Sequence, residues 1–171
     1  HFLVHLEEPE YRRRVDDPEF RPWIDLVGSE EAFGVTLLEG MESGRIRRLA
    51  IHGDTKLDNF LFSARTGRVK ALVDLDTIMP HSWLADWGDM VRSLCNVAGE
   101  KETDLERVRP DWEVYQALAS GFRSTARRVL PAEVELMPEA VEILALELGV
   151  RFLTDYLRGD SYFALGPADP P

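Results

Sequence analysis

One segment constrains this chain more than any other: Leu49–Phe62, "LAIHGDTKLDNFLF". It sets His52, Asp54, Lys56, Asp58 and Asn59 in quick succession between apolar flanks. Taking a polar group out of water without a partner costs roughly 2–7 kcal/mol. Polar side chains gathered where the chain enters its core therefore need partners, or serve a site. The segment reads as a loop carried on an apolar platform, anchored by Ile51 and the following "NFLF" run.

Downstream, "NFLFS" and "VKALVDL" are short β candidates joined by "ARTGR", with Gly67 as the turn residue, and they predict a hairpin. Helical signals surround it. "SEEAFGVTLLEGMESG" opens on Ser29 and acids and closes on Gly44, which predicts a helix over about 30–43. From Trp83 to Ala98 the apolar residues Leu84, Trp87, Val91 and Leu94 recur at steps of three and four. "DWEVYQALASGFRSTARRVL" predicts another helix, capped by Asp111, and a long helix is expected over about 138–158, stopped near Gly159. The first 45 residues, with Pro9 and Pro18 as breaks, read as short leading helices. Helices, a small hairpin, then more helices make an α-rich α+β layout, with catalytic and hairpin segments over 46–80 and a helical part over 81–171.

The chain's 171 residues, 44% of them apolar, suffice for one globular domain. A net charge of -11 argues against nucleic acid, whose phosphates need a basic face, and suits small molecules or metal ions. One cysteine, Cys95, rules out an internal disulfide and fits a reducing cytoplasm. No apolar run reaches the roughly 18 residues of a membrane span, and no signal-peptide pattern opens the chain. It begins at His1 rather than Met, as a fragment would.

Two segments carry the chemistry. Asn59 follows Asp54 by five positions, and "DLD", Asp74 to Asp76, follows Asn59 by fifteen. Hard cations such as Mg²⁺ take oxygen ligands, typically one or two carboxylates plus substrate phosphates. The amide of Asn59 and the carboxylates of Asp74 and Asp76 would supply them. Asp54 is then left to take a proton from a substrate hydroxyl, with Lys56 near a transferring phosphoryl group. A hairpin brings Asn59 and Asp74 together at its open ends. The same division of labour is described for protein kinases.

The motifs "HGDTKLDNFLF", "VDLDTIMP", "DWGDMVRS", "NVAGEKETDL" and "ELGVRFLTDYLRGDSYF" appear in order over about residues 45–165. Through them the chain resembles the aminoglycoside phosphotransferase and choline kinase superfamily, whose fold is similar to that of protein kinases. Within it the likeness is nearest to N-acetylhexosamine kinase-like sugar kinases. The resemblance implies ATP and Mg²⁺ as cofactors and a small-molecule hydroxyl as acceptor. It makes Asp54 the base, Asn59 and Asp74 the metal ligands, and Asp76 a further metal-side carboxylate. It makes His52 structural, has Asp86 or Asp89 brace the loop, with Arg92 paired to one of them, and puts Arg151, Asp155 and Tyr162 at the sugar pocket. Gly53 stands where the sugar kinases often carry Asn, which leaves the sugar open.

Simpler roles compete. Arg151 and Asp155 are spaced as a helix ion pair, Tyr162 and Phe163 as core aromatics, Trp83 and Trp87 as packing, and His81 as a loop residue. No glycine-rich phosphate loop or strand lysine precedes Asp54, so the chain reads as the C-terminal lobe of a kinase whose N-terminal nucleotide lobe is missing, inactive alone. A non-catalytic kinase-like binding module is the alternative outside the enzymes. A metal phosphohydrolase would call for more histidine ligands than the four His present, of which only His52 adjoins the motif.

Overall fold

The computed structural model describes residues 6, 11–99, 102, 104–160 and 162–163. They form a mostly helical α+β protein with two small antiparallel ladders. By contacts the chain divides into two compact units: Leu37–Ala145, and His1–Thr36 together with Leu146–Pro171. Among the described residues no helix is long and apolar enough to cross a membrane.

The larger unit contains the β structure. β2 (Phe60–Phe62) and β3 (Val69–Leu72) form the expected hairpin, with Phe60 opposite Leu72 and a register shift between Leu61 and Phe62. Gly67 takes φ 64° at the turn, a value that favours glycine. A second ladder, β1 (Leu49–Ile51) with β4 (Met79–His81), was not expected from the sequence. Its strands are three residues long and Pro80, which cannot donate to a ladder, sits in one of them. His81, expected in a loop, is thus a strand residue, half-buried and opposite Leu49. The two ladders bracket both polar loops. One loop runs from His52 to Asn59 and the other from Val73 to Ile78.

The helix starting at Trp83 runs to Cys95 and backs the first loop. Ser82 caps it by accepting from the main-chain N–H of Leu84. Leu84, Trp87 and Val91 are buried as the periodicity predicts, but Cys95 rather than Leu94 completes the buried stripe. Its neighbours are the helices Trp112–Thr125 and Met137–Leu157. Trp83 stacks on Phe122 at 4.7 Å, and Trp87 meets Tyr115 edge-on at 6.0 Å, so both tryptophans pack rather than face solvent. The Trp87 indole N–H donates to the Met137 carbonyl at 3.1 Å. Gly88 lets this helix approach closely: a methyl there would lie 2.4 Å from the Ala140 carbonyl oxygen.

The short helix Pro131–Glu135 contributes Glu133, which is fully buried. Its carboxylate accepts from Arg47 Nε and main-chain N at 3.0 Å, from Arg47 Nη2 at 2.7 Å and from the Leu130 N–H at 2.9 Å. Burial alone would raise its pKa, but this fork and the main-chain donors win and hold it at about 2.

The other unit packs Val15, Ile24, Leu153 and Leu157 with Phe20, Val27 and Tyr156. Phe20 stacks on Tyr156 at 3.8 Å. Arg14 donates to the Tyr156 carbonyl and pairs with Asp160 at 2.9 Å.

Three helix limits differ from expectation. The helix predicted over 30–43 is two, Glu31–Gly34 and Thr36–Glu42, broken where Gly34 meets β-branched Val35. Ser29 ends the preceding helix, Arg21–Ser29, and its hydroxyl donates to the Leu26 carbonyl instead of capping. The helix capped by Asp111 stops at Thr125, where Ala126 is already extended, and Leu130, which precedes Pro131, is extended too.

Candidate active site

The loop His52–Asn59 is built around main-chain atoms held from the helix Trp83–Cys95. Asp86 presents one carboxylate oxygen to the His52 N–H at 2.9 Å and the other to the Gly53 N–H at 2.8 Å. Thr55, buried, donates its hydroxyl to the Asp86 carbonyl at 2.6 Å and lies 3.5 Å from Asp89. Ser93 accepts from the Leu57 N–H at 2.9 Å. Asp89 is also paired with Arg92 at 2.7 Å. Asp86 is therefore the main brace, and Asp89 supports it.

Gly53 takes φ 82°, and a methyl there would lie 2.6 Å from the Thr77 carbonyl oxygen. Only glycine meets both conditions without strain. This turn delivers Asp54, a quarter exposed, with its carboxylate oxygen Oδ2 held by Lys56 Nζ at 2.8 Å and by Asn59 Nδ2 at 2.9 Å. Asn59, buried, also donates to the Asp54 carbonyl at 2.8 Å. Partial burial pushes the Asp54 carboxyl up, but the Lys56 and Asn59 hydrogen bonds and the lysine charge outweigh it and hold it below the usual carboxylate range. Asp54 is thus a carboxylate at neutral pH with one oxygen occupied and a fixed orientation.

The second loop is tied to the first. The Val73 N–H donates to the Asn59 carbonyl at 2.9 Å, His52 Nε2 lies 2.9 Å from the Val73 carbonyl, and Thr77 donates to the His52 carbonyl at 2.8 Å. Between Val73 and Thr77 stand Asp74 and Asp76, both exposed. Asp74 is left-handed at φ 69°, one of two such non-glycine residues among those described. Strained conformations of this kind cluster at functional sites. Asn59 is bonded to Val73 at the end of the hairpin, so Asp74 follows one residue after that rung.

Mg²⁺ fits this donor set in one specific way. Among the described residues no three His, Cys, Asp or Glu side chains cluster closely enough to hold a metal by themselves. Asn59 spends its amide nitrogen on Asp54, which leaves its acceptor-only oxygen for a cation. An amide oxygen and one or two carboxylates match a Mg²⁺ that completes its shell with substrate phosphates and water.

The remaining predicted residues lie in the other unit. Arg151, Thr154, Asp155, Arg158, Tyr162 and Phe163 line a depression of about 400 Å³. Asp155 is buried and does not pair with Arg151; its two oxygens accept from the Tyr162 and Phe163 N–H groups, each at 2.8 Å. It holds the segment that displays Tyr162, which is 73% exposed and no core aromatic. Arg151 lies over the Phe163 ring at 5.9 Å.

Thr55, Thr77 and Ser93 were not singled out from the sequence. For Ser93 a signal existed: Asp86, Asp89 and Ser93 fall at i, i+3 and i+7, one polar face of a helix.

Residues 6–118, more than half of the chain, match the sequence model of the phosphotransferase enzyme family. The chain belongs to that family.

Proposed function

We propose that this phosphotransferase-family chain is the base- and metal-bearing part of a small-molecule kinase, which transfers the γ-phosphoryl group of ATP to a hydroxyl of a sugar, most specifically an N-acetylhexosamine. One observation carries the reading: Asp54 is ionised, gripped on Oδ2 by Lys56 and Asn59, and set on a loop tied to the Asp74 loop.

The other oxygen of Asp54, Oδ1, is the atom that receives the acceptor's proton. As the acceptor oxygen bonds to the γ-phosphorus, the bond from that phosphorus to the bridging oxygen breaks and ADP leaves. Lys56, adjacent to the base, offers positive charge to the transferring group. When bound, Mg²⁺ would neutralise charge on the phosphates, held by Asn59 and Asp74 with Asp76 beside them. His52, Asp86 and Asp89 position the loop, and most of the catalytic gain is orientation. Arg151 and Tyr162 contribute to acceptor recognition, and Asp155 holds the segment that carries Tyr162. Exposed apolar residues on and beside the ladders, including Leu61, Phe62, Val69 and Met79, suit a nucleotide-holding N-terminal lobe packed over the hairpin.

A second reading keeps the chemistry and changes the acceptor. The net charge of -11 favours a cationic alcohol of the aminoglycoside or choline type. An acceptor screen with ATP and Mg²⁺, run on the complete protein that joins this chain to its nucleotide-holding lobe, separates them. Turnover of N-acetylhexosamines that Asp54→Asn abolishes supports the first reading, turnover of cationic acceptors alone supports the second, and absence of transfer to any hydroxyl overturns both.

A further inference from the structure

The His52 peptide is gripped from both sides. Its N–H goes to Asp86 at 2.9 Å, and its carbonyl accepts the Thr77 hydroxyl at 2.8 Å. Its ring meets the Val73 carbonyl at 2.9 Å. Val73 and Thr77 flank Asp74–Asp76, so the metal-side loop is attached to the base loop at each of its ends. At the Val73 end the attachment includes main-chain atoms of both loops. At the Thr77 end it consists of one side-chain hydroxyl, of the close approach of Gly53 to the Thr77 carbonyl, and of the short ladder that begins two residues later with Met79 opposite Ile51. A threonine hydroxyl most readily bonds within its own turn, but this one spans to a carbonyl 25 residues earlier.

We propose that Thr77 is a positioning residue, which sets the distance between the Asp54 base and the Asp74–Asp76 carboxylates by holding the His52 carbonyl. The proposal rests on the kinase reading for its catalytic consequence. Its structural consequence, placement of the metal-side carboxylates, is independent of turnover. Without the hydroxyl the end of the loop bearing Asp76 loses the side-chain tie nearest to it, while the ladder from Met79 and the Val73 tie remain. The geometry of base against metal then loosens, while nothing that contacts the acceptor changes.

The test compares Thr77→Val, which keeps shape and loses the hydroxyl, with Thr77→Ser, which keeps the hydroxyl. Melting temperature establishes that both fold. Binding of Mn²⁺ alone, followed through the EPR signal of the free ion, reads the metal-side carboxylates without catalysis. One hydrogen bond corresponds to a roughly fivefold weakening of Mn²⁺ binding in Thr77→Val. Loss of alignment is expected to lower kcat about tenfold at unchanged acceptor KM. Thr77→Ser stays within about twofold of the parent in both. Unchanged Mn²⁺ affinity in Thr77→Val overturns the proposal, and so does equal impairment in Thr77→Ser, which would assign the effect to the methyl group. A parent protein complete with its nucleotide-holding lobe that transfers no phosphoryl group, yet shows the Mn²⁺ difference, refutes the kinase reading and leaves the tie standing.

Discussion

Asp86 offers its two carboxylate oxygens to two consecutive main-chain N–H groups, those of His52 at 2.9 Å and Gly53 at 2.8 Å. One helix residue thereby fixes the two successive peptides that lie just before the one entering Asp54. Asp86→Ala leaves both donors without this partner, at a cost of about 1–3 kcal/mol each if they stay dry. We expect kcat to fall about a hundredfold, because a displaced base costs far more in rate than in binding. Asp86→Asn, which keeps one acceptor, should fall between. Steady-state kinetics of the protein complete with its nucleotide-holding lobe, alongside urea denaturation, separates misplacement from unfolding.

Two glycines make opposite predictions. Gly88→Ala puts a methyl 2.4 Å from a main-chain oxygen of the neighbouring helix, with Ala140 and Leu144 rather than the loop as its nearest contacts. Overpacking of that kind costs about 1–3 kcal/mol, so its melting temperature should drop while kcat per folded molecule is kept. Gly53→Ala combines a left-handed φ of 82° with a 2.6 Å contact on the Thr77 carbonyl, in the loop itself. Its activity should fall by about two orders of magnitude even where the protein remains folded. The pair is decided by measuring melting temperature and kcat on both.

Much of this site was legible because its chemistry depends on local spacing. Asp54 and Asn59 share one loop, and Asp74 follows a hairpin whose turn glycine and short apolar runs can be read directly. The α+β order was legible for the same reason. What escaped were long-range single-atom contacts: Thr77 on His52, Ser93 on Leu57, and Glu133 on Arg47. A hydroxyl or carboxylate carries no sign in sequence of which distant main-chain group it meets. The ladder between Leu49–Ile51 and Met79–His81 escaped because its three-residue strands are too short for a period to show.

The Lys56–Asp54 pair sets a pH dependence. Because the Asp54 pKa is lowered in the folded protein, the proposed base stays ionised as pH falls through the ordinary carboxylate range. Activity is lost only when pH reaches the lowered value. Lys56→Met removes a hydrogen bond and a charge that both act in that direction. The acid limb of the kcat/KM profile should therefore move to higher pH, with kcat about tenfold lower. An acid limb that stays in place in Lys56→Met contradicts the assignment of Asp54 as the base.

Glu133 governs stability rather than rate. Its pKa near 2, against an ordinary value of 4.5, makes the folded state the weaker proton binder. The associated stability is fully present above pH 4.5 and disappears as pH falls toward 2; from this shift it amounts to about 3 kcal/mol. Urea denaturation across that window should show a falling free energy of unfolding. Glu133→Gln should be less stable than the parent near neutral pH, and its dependence on pH in the window should be flatter.

Asp155 supplies the last distinction, between a residue that touches substrate and one that shapes the surface for it. Both of its oxygens are occupied by the main-chain N–H groups of Tyr162 and Phe163, so it has little left to offer a ligand directly. If Arg151 and Tyr162 recognise the acceptor, Asp155→Ala acts through the loss of order in the segment bearing Tyr162. Two lost charge-assisted hydrogen bonds, at about 1.5–3 kcal/mol apiece, exceed what a short exposed segment needs to open. Acceptor KM should then rise at least about tenfold while KM for ATP stays constant. Tyr162→Phe, which keeps the ring and the main-chain bonds, should show a smaller rise. An equal loss in kcat for every acceptor, with KM unchanged, would instead place Asp155 in general stability and remove this depression from the acceptor site.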